Sequence, residues 1–400
     1  MTRKRILYIS GSLGLGHVTR DLAIAKELHR QNPEIEISWL AGSPASDLIA
    51  NANEMLHPKC SQYANLNIPA EKAAKGYALN LDDYDACGDR EWEQNFLVFK
   101  SVIEEEKYDI IIGDETYEIW YRLQDQQHIL NTPFVMIYDF VGLGYVKCIQ
   151  RFFKKGKEFN QRQASDHKML FKNKNLVLFV GEPEDILNER FGFLMPNKRE
   201  YAQKHYRFVG YVLDFNPAEY SDQEQIKKKL GYGEEPLVVC TIGGTSIGKE
   251  LLELCGQAYP IIREEISDLR MVLVCGPCLS AESLLEVSQG VVVRGYIPAL
   301  YEHFAASDLA IVQGGATSTL ELTALRRPFL YFPLEEHFEQ QVHVAGQLAR
   351  HRAGVKMMFS QTTPMSLAEK VISNLGKKVT YAPIPTDGAQ KAAQLISQLL

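Results

Sequence analysis

The chain has 400 residues, of which 46% are hydrophobic, and a formal net charge of −7 at pH 7. This length suggests two domains, each able to bury its own core, and the acidic balance argues against general nucleic-acid binding. The sequence shows no signal peptide and no apolar run of bilayer-spanning length, and its seven cysteines fit a reducing compartment, so we expect a cytoplasmic protein.

The first strand–loop–helix unit contains the first candidate catalytic residue. Apolar residues 6–9 predict a strand, a loop with Gly14 and Gly16 follows, and 18–29 has the periodicity of an amphipathic helix. The glycine spacing misses the dinucleotide-binding pattern, which disfavours NAD. His17 lies at the loop-to-helix junction, at the strand edge where open α/β sheets bind ligands. The alternative is a structural or capping histidine.

Asp114 ends the next clear strand, 108–113, and precedes a predicted helix over 115–123. Because the carboxyl ends of parallel strands meet at one sheet edge, we expect Asp114 near His17, where a carboxylate would orient the imidazole. The alternative is a helix N-cap, for which Asp is a favoured residue. The adjacent acids at 82–83 could suggest a metal site, but we interpret them as solvated loop residues.

Residues 147–174 form a basic stretch, with nine Lys or Arg against two acidic residues and several interleaved phenylalanines. One interpretation is a lip that contacts an anionic membrane or an acidic, lipid-linked acceptor. The other is a solvated pair of basic helices. Residues 210–220, which include Pro217 and few helix formers, are the predicted linker between the two halves.

The second half restarts the same strand–loop–helix plan. Residues 237–242 predict a strand and 249–265 a helix. The loop between them contains Gly243, Gly244 and Thr245, a sequence suited to a backbone nest for phosphate.

A CxxC motif, Cys275 to Cys278, follows a later strand. Taken alone it resembles a thioredoxin-type redox pair. We interpret it as a turn, because Gly-Pro separates the cysteines, no Trp precedes them, and no second CxxC completes a zinc site.

Residues 308–348 hold the densest set of ligand-binding features. A buried strand at 309–312, a turn at Gly314-Gly315, a helix to about 325 and a second strand at 329–332 are predicted. The free N–H groups and positive dipole end of the helix N-terminus would bind a phosphate or diphosphate. Cap-type hydroxyls where the helix begins come from Thr317, Ser318 and Thr319.

Two acidic positions in this stretch suit a sugar. Glu321 lies in the first or second turn of the helix, where its carboxylate can accept both hydroxyls of a ribose. Glu339 and Gln340 follow the second strand, and a carboxylate beside an amide suits sugar hydroxyls.

This order of residues resembles the nucleotide-sugar signature of GT-B glycosyltransferases, above all the UDP-glycosyltransferases and the GlcNAc-transferase type of peptidoglycan synthesis. The resemblance covers 308–348. It departs at Gln313, where many members carry a His near the diphosphate, and at His343, where Asn is common. The glycine loop that ends in Gly16-His17 resembles the N-terminal loop of the same families.

The resemblance implies an α/β protein with two Rossmann-like domains facing a cleft, over residues 1–212 and 213–385. Residues 386–400 would form a last helix that packs back on the first domain. It also implies that His17 is the general base and Asp114 its partner, and that the acceptor loop includes Gly14 and Gly16. Tyr296 or the backbone of Ile297 would hold the nucleobase. The implied donor-binding set is Gly243, Gly244, Thr245, Tyr296, Ile297, Gln313, Gly314, Gly315, Thr317, Ser318, Thr319, Glu321, Glu339 and Gln340.

We therefore predict a hexosyltransferase that moves a sugar from a nucleoside-diphosphate sugar, with UDP favoured, to an acceptor hydroxyl. Inversion, independence from metal and the absence of a cofactor are implied by the resemblance. The acceptor is open: a lipid-linked one, with peripheral membrane contact through 147–174, is one option. The alternatives are a UDP-sugar 2-epimerase of the same fold and a non-catalytic protein that binds nucleotide sugars or lipids.

Overall fold

Two parallel β-sheets organise the chain in a computed structural model, which describes residues 3–11, 13–144, 153–170, 174–284 and 288–400. The chain divides into two units. The first contains residues 1–70, 82–214 and 385–400, and the second contains residues 71–81 and 215–384.

The elements alternate between strands and helices, as expected for Rossmann-like halves. Up to the boundary between the units they are β1 (Arg5–Ser10), α1 (Gly16–Gln31), β2 (Glu36–Leu40), α2 (Ala45–Asn51), β3 (Met55–Leu56), α3 (Asn67–Ala73), α4 (Leu81–Glu105), β4 (Ile110–Asp114), α5 (Tyr117–Asp125), β5 (Phe134–Tyr138), α6 (Phe153–Gln163), α7 (His167–Leu170), β6 (Leu176–Val180), α8 (Lys198–His205) and β7 (Arg207–Gly210).

The remaining elements are α9 (Gln223–Lys229), β8 (Leu237–Thr241), α10 (Lys249–Glu265), β9 (Arg270–Val274), β10 (Val292–Arg294), α11 (Leu300–Ala306), β11 (Leu309–Gln313), α12 (Ala316–Ala324), β12 (Phe329–Phe332), α13 (Ala345–His351), β13 (Val355–Lys356), α14 (Pro364–Asn374) and α15 (Gly388–Ser397).

The strand order places a topological switch point in each sheet. The first sheet has the order β3-β2-β1-β4-β5-β6-β7, and the second has β10-β9-β8-β11-β12-β13. The order reverses direction between β1 and β4 in the first sheet and between β8 and β11 in the second. Ligands of open α/β sheets bind outside the carboxyl ends of the strands at such points. The expected α/β class with two Rossmann-like halves is confirmed.

Continuous apolar runs explain why both sheets are parallel and buried. Every residue of β4, β5, β8 and β11 is buried, as is typical of strands covered by helices on both faces. The last helix belongs to the first unit: α15 packs along α1, and its Ala392 and Ile396 join Ile6 and Tyr8 in one core.

The structure corrects two expectations in the first half of the chain. Residues 71–81 were expected in the first domain, but they belong to the second unit. Asp82 and Asp83 do not lie in a loop, because α4 already begins at Leu81. Both corrections come from long-range contacts, which local composition does not encode.

The basic stretch 147–174 is described only in part. Residues 145–152 and 171–173, which include Lys147, Arg151 and Lys172, lie outside the described residues. The described remainder forms α6 and α7, and Lys157 is exposed on α6.

A buried carboxyl group, Asp166, links the helices of the first unit. Trp120 Nε1 and Gln124 Nε2 each donate to its Oδ1 at 2.8 Å, and the Tyr206 hydroxyl donates to its Oδ2 at 2.7 Å. These donors favour the carboxylate, but burial outweighs them and raises the pKa of Asp166 to about 7.

Asp166→Asn should weaken the pH dependence of stability. Because the pKa of Asp166 is higher in the folded protein than its ordinary value of 3.8, proton binding stabilises the fold at acidic pH. That contribution is lost as pH rises through about 7. Between pH 5.5 and 8.5 the melting temperature of the wild type should therefore decrease more than that of the variant. Asp268→Asn, which removes an exposed carboxylate, is the control. Equal pH profiles for wild type and Asp166→Asn would contradict the assignment.

Candidate active site

His17 is the second residue of α1 and follows β1 at the switch point of the first sheet. β1 and β4 are neighbours there, and Ser10 pairs with Asp114. His17 Nδ1 lies 3.4 Å from Asp114 Oδ1. The structure thus brings together the two residues that the sequence suggested as a dyad. Asp114 is not a helix cap, because Thr116 occupies that position before α5.

Arg20 binds Asp114 more closely than His17 does. Its Nε donates to Asp114 Oδ2 at 2.6 Å, its Nη2 donates to Asp114 Oδ1, and its Nη1 donates to Asp139 Oδ2 at 2.5 Å. Asp139 directly follows β5, the next strand of the sheet. Arg20 and Asp114 are both buried. One bidentate pair and one further bond therefore tie α1 to the ends of two strands.

The charges of this cluster follow from burial and from Arg20. Burial alone would raise the pKa of Asp114 and of Asp139. The Arg20 guanidinium outweighs burial at both carboxyl groups, so both pKa values lie below their usual range, and the lowering is larger at Asp114. Burial and the nearby Asp114 raise the pKa of Asp21 well above its usual value, and the Tyr8 hydroxyl donates to Asp21 Oδ1 at 2.9 Å. His17 thus lies beside an ion-paired cluster in which Arg20 holds Asp114 and Asp139 as carboxylates.

The contact with Arg20 determines the tautomer of the neutral His17 ring. Arg20 Nη2 lies 2.7 Å from His17 Nδ1. A guanidinium only donates hydrogen bonds, so Nδ1 accepts here and the ring proton is on Nε2. In this arrangement the nitrogen that faces away from Asp114 is a donor.

Glu115 approaches the other side of the ring. Its Oε2 lies 3.9 Å from His17 Nε2, and its Oε1 accepts the Tyr117 hydroxyl at 3.1 Å. Its φ of 47° is unusual for a residue other than glycine. Such conformations concentrate at functional sites. The imidazole therefore lies between two carboxylates.

In the second unit, the predicted donor residues follow strand ends along one edge of the second sheet. Gly243 to Thr245 follow β8, Gln313 to Thr319 follow or end β11, Glu339 and Gln340 follow β12, and Tyr296 and Ile297 follow β10. These strands are near neighbours in the sheet. Parallel register therefore places the four segments at the carboxyl edge.

Backbone geometry requires glycine at one position in each of the two predicted phosphate segments. Gly243 has a φ of 87°, which a side chain would strain. A Cβ at Gly314 would lie 2.7 Å from Pro333 Cα, so only glycine lets the turn after β11 pass the segment after β12.

The start of α12 differs from the expected one. The helix begins at Ala316 with Gly315 as its N-cap, so the N–H groups without helical partners belong to residues 316–318. Thr319 is buried, and its hydroxyl donates to the Gly315 carbonyl at 2.8 Å. Its hydroxyl is therefore used within the helix and does not point at an anion; Thr317 and Ser318 keep half-buried positions in the first turn.

Two amides of the predicted set have structural partners. Gln313 Nε2 donates to the Ile247 carbonyl at 2.9 Å, which joins the end of β11 to the loop after β8. Gln340 Oε1 accepts the Leu334 N–H at 2.8 Å. One of the two lone pairs of the Gln340 amide oxygen is therefore used within the fold.

The two carboxylates assigned to the donor differ in their setting. Glu321 is buried and lies four residues after Thr317, on the same face of α12. Because helical Cα–Cβ bonds tilt toward the N-terminus, Glu321 can approach a ligand held at the start of α12. Glu339 begins a π-helical turn that ends at Val344, a distortion common at functional sites.

The remaining predicted residues lie at the rims of the two sheets. Gly14 adopts a φ of 73°, and its N–H donates to Asn67 Oδ1 at 2.8 Å, whereas Gly16 is the first residue of α1. Tyr296 is exposed, and Ile297 packs against the core of the second unit.

The CxxC motif does not have the properties of a redox pair. Both thiols are free, and burial raises the pKa of Cys275 and of Cys278. Redox-active thiols have lowered pKa values. The motif is a turn: Gly276 has a φ of 77°, and a Cβ there would lie 2.2 Å from the Gly243 carbonyl oxygen.

Sequence reasoning missed Arg20, Glu115 and Asp139. Two signals were available. Arg20 lies three residues after His17, on the same helix face, and Asp139 ends a predicted strand just as Asp114 does.

The chain is similar to known glycosyltransferases. Residues 238–400 match the family model of the glycosyltransferase family 28 C-terminal domain. An uncharacterized glycosyltransferase of Methanopyrus kandleri is 25% identical over 48% of this chain and 54% of that protein, so this match spans about half of the relative.

A longer match comes from the UDP-N-acetylglucosamine–N-acetylmuramyl-(pentapeptide) pyrophosphoryl-undecaprenol N-acetylglucosamine transferase of Acetivibrio thermocellus. It is 25% identical over 92% of this chain and 88% of that protein. The crystal structure of the glycotransferase of kitacinnamycin superposes with a TM-score of 0.60 at 15% identity over all of both chains. The predicted resemblance to GT-B glycosyltransferases is confirmed. Of the helices that the structure describes, none is long and apolar enough to cross a membrane.

Arg20→Met should destabilise the first unit by roughly 3–5 kcal/mol, because it leaves the buried Asp114 and Asp139 without their cation. Arg30→Met is the matched control: Arg30 lies on the same helix, is 60% exposed and pairs with Glu27, so its loss should cost less than about 1 kcal/mol. Urea unfolding of both variants measures the difference. A similar small effect at both positions would show that the Arg20 cluster does not support the fold.

Proposed function

We propose that this chain, which has the GT-B fold and is similar to glycosyltransferases, transfers a sugar from a UDP-sugar to an acceptor hydroxyl with inversion. The observation that supports this proposal is the position of His17 at the switch point of the first sheet, between the carboxylates of Asp114 and Glu115. A histidine between two carboxylates can accept a proton and hold it, because both neighbours stabilise the imidazolium.

The proposed reaction is one direct displacement. The acceptor oxygen bonds to the anomeric carbon while the bond from that carbon to the diphosphate oxygen breaks. The diphosphate leaves with the electron pair, and the acceptor proton passes to His17 Nε2. Nε2 can accept only if the ring proton lies on Nδ1, so catalysis requires Arg20 to withdraw from Nδ1 and Asp114 Oδ1, 3.4 Å away, to become its partner.

The second unit would bind the donor. Backbone N–H groups of Gly243 to Thr245 and of the first turn of α12 would stabilise the departing diphosphate without a bound metal. Glu321 would hold the ribose, and Glu339 with Gln340 the sugar. UDP is favoured because the Acetivibrio thermocellus relative is named for a UDP-N-acetylglucosamine donor.

A 2-epimerase remains the second candidate, because the structure places more acids beside His17 than the sequence indicated. Asp114 and Asp139 are both ion-paired with Arg20, however, so Glu115 is the acid that faces Nε2. Transfer therefore fits better. Incubation with UDP-N-acetylglucosamine alone tests this: formation of its 2-epimer without acceptor would replace the transferase proposal.

His17→Ala should abolish sugar transfer and leave donor binding intact. UDP at about one hundred times its dissociation constant should stabilise wild type and variant alike by roughly 2.7 kcal/mol, visible as a thermal shift. UDP release from UDP-N-acetylglucosamine, with acceptors found by screening, measures transfer. His29→Ala, at the other end of α1 and paired with Glu54, is the matched control. Loss of the UDP-induced thermal shift in His17→Ala would contradict the role of His17 as a base. If UDP, dTDP and GDP all fail to shift the melting temperature of the wild type, the proposed donor class is refuted.

The proposed acceptor is lipid-linked, which requires contact with a membrane surface. Besides the basic stretch, the structure offers an apolar turn at residues 191–196, closed by the Phe191 N–H to the Pro196 carbonyl at 3.1 Å. Phe193 and Leu194 at its tip are 89% and 83% exposed. Asn160 of α6 donates to the Phe191 carbonyl at 2.8 Å. The turn therefore lies against α6, and we propose that its exposed tip contacts an anionic bilayer together with basic residues of the stretch 147–174.

Replacing Phe193 and Leu194 together by Ser should weaken binding to phosphatidylglycerol vesicles about tenfold, because two apolar side chains no longer enter the bilayer. Vesicle co-sedimentation measures the change, with phosphatidylcholine vesicles as the reference for charge. Met365→Ser, which removes an exposed apolar side chain of the second unit, is the control. Unchanged binding of the double variant would exclude the turn as the contact.

A further inference from the structure

A segment from the first half of the sequence forms part of the second unit. We call residues 71–81 the strap. Tyr77, near the middle of the strap, is buried. Its hydroxyl donates to the carbonyl of Phe332, the last residue of β12, at 2.6 Å. Its ring stacks on Phe359, with the ring centroids 4.3 Å apart. The strap is therefore anchored at the carboxyl edge of the second sheet, where the donor residues lie.

The backbone of the strap also pairs with the segment that follows β12. Ala78 forms a parallel bridge with Glu335. The Leu79 N–H donates to the Glu335 carbonyl at 3.0 Å, and the Glu335 N–H donates to the Tyr77 carbonyl at 3.0 Å. Asn80 Nδ2 donates to Glu336 Oε2 at 3.2 Å. These bonds fix one end of the strap just before Glu339 and Gln340.

The other end of the strap reaches the loop after β8. Glu71 Oε1 accepts the N–H of Ser246 at 3.0 Å. The Tyr77 ring lies next to Gly248, where a Cβ would come within 3.3 Å of Tyr77 Cε2. Burial and then the charge of Glu71 raise the pKa of Cys278, in the turn that packs on Gly243. A carboxylate thus lies against the loop that the sequence predicts to bind phosphate.

We infer that Glu71 is a resident anion of the donor site and sets its affinity for the diphosphate, an inference that rests on the proposed donor site. A carboxylate and a phosphate oxygen accept the same kind of hydrogen bond from a backbone N–H. One N–H cannot serve both at full strength, and two anions at this distance repel each other. The diphosphate of the donor therefore has to displace the Glu71 side chain from Ser246.

The strap gives this competition a structural basis. Because Tyr77 and the Glu335 pairing hold the strap in place, Glu71 is kept at high local concentration near the loop. A free carboxylate in solution would compete far less well. Uridine, which has no phosphate, does not need the Ser246 N–H, so its binding should be insensitive to Glu71.

The test compares UDP and uridine binding by calorimetry in wild type, Glu71→Gln, Glu71→Ala and Glu253→Gln. Glu253→Gln is the charge-matched control: it removes one carboxylate from α10, where Glu253 pairs with Lys249. Removing the charge of Glu71 should tighten UDP binding about tenfold, with the larger gain in Glu71→Ala because Gln can still accept the Ser246 N–H. Uridine binding and the Glu253→Gln variant should match the wild type.

Hydrogen exchange of the peptide that contains Ser246 gives an independent readout. Without ligand, Glu71→Ala should exchange faster there than wild type, and UDP should protect this peptide in both proteins. Unchanged or weaker UDP binding in the Glu71 variants would overturn the inference while leaving the proposed donor site in place. Equal gains in affinity for UDP and for uridine would also overturn the inference, because phosphate would then not be the group that competes with Glu71. Failure of UDP to bind any of the four proteins would reject the donor site and the inference together.

Discussion

The geometry of the candidate site in the first unit depends on the ion pairs of the buried Arg20 guanidinium. A cation enclosed by protein is stable only when carboxylates pair with it, and Asp114 and Asp139 come from the ends of two adjacent strands. The requirement to pair this charge fixes where the first turn of α1 lies against the sheet. His17, one turn earlier on the same helix face, takes its position from that constraint.

The same cation also restrains the chemistry of His17. Arg20 Nη2 donates to Nδ1, so the neutral ring holds its proton on Nε2, the nitrogen that a general base needs free. Asp114 lies close enough to take over once Arg20 withdraws, and Glu115 flanks the other nitrogen. Two carboxylates and one guanidinium around a histidine thus form a site in which the position of the ring proton depends on where the Arg20 side chain lies.

The proposed donor site of the second unit would bind an anion in a different way. Its predicted phosphate segments offer backbone N–H groups and a helix dipole rather than lysine or arginine side chains, which would suit a diphosphate that must bind and then leave. The N–H of Ser246, which directly follows the segment 243–245, donates to Glu71. This bond gives the half-buried Ser246 N–H a partner and ties the loop after β8 to residue 71. In both units the working groups lie at the switch point, where neighbouring loops diverge and leave room for a ligand.

Local pattern in the sequence was sufficient for the central strands, several of the helices and the parallel α/β class, because buried parallel strands appear as apolar runs and helices as periodic ones. It did not reveal the short edge strands β3 and β13 or the start of α4 at Leu81. It also placed His17 with Asp114, since the ends of parallel strands converge, and it located the glycine turns at 243 and 314. Only the tertiary structure revealed that Arg20 bridges Asp114 and Asp139, that Thr319 turns inward, and that residues 71–81 belong to the second unit. Those features arise from contacts between residues far apart in the chain, chosen by the need to pair buried charges and backbone groups, and no local pattern records such pairings.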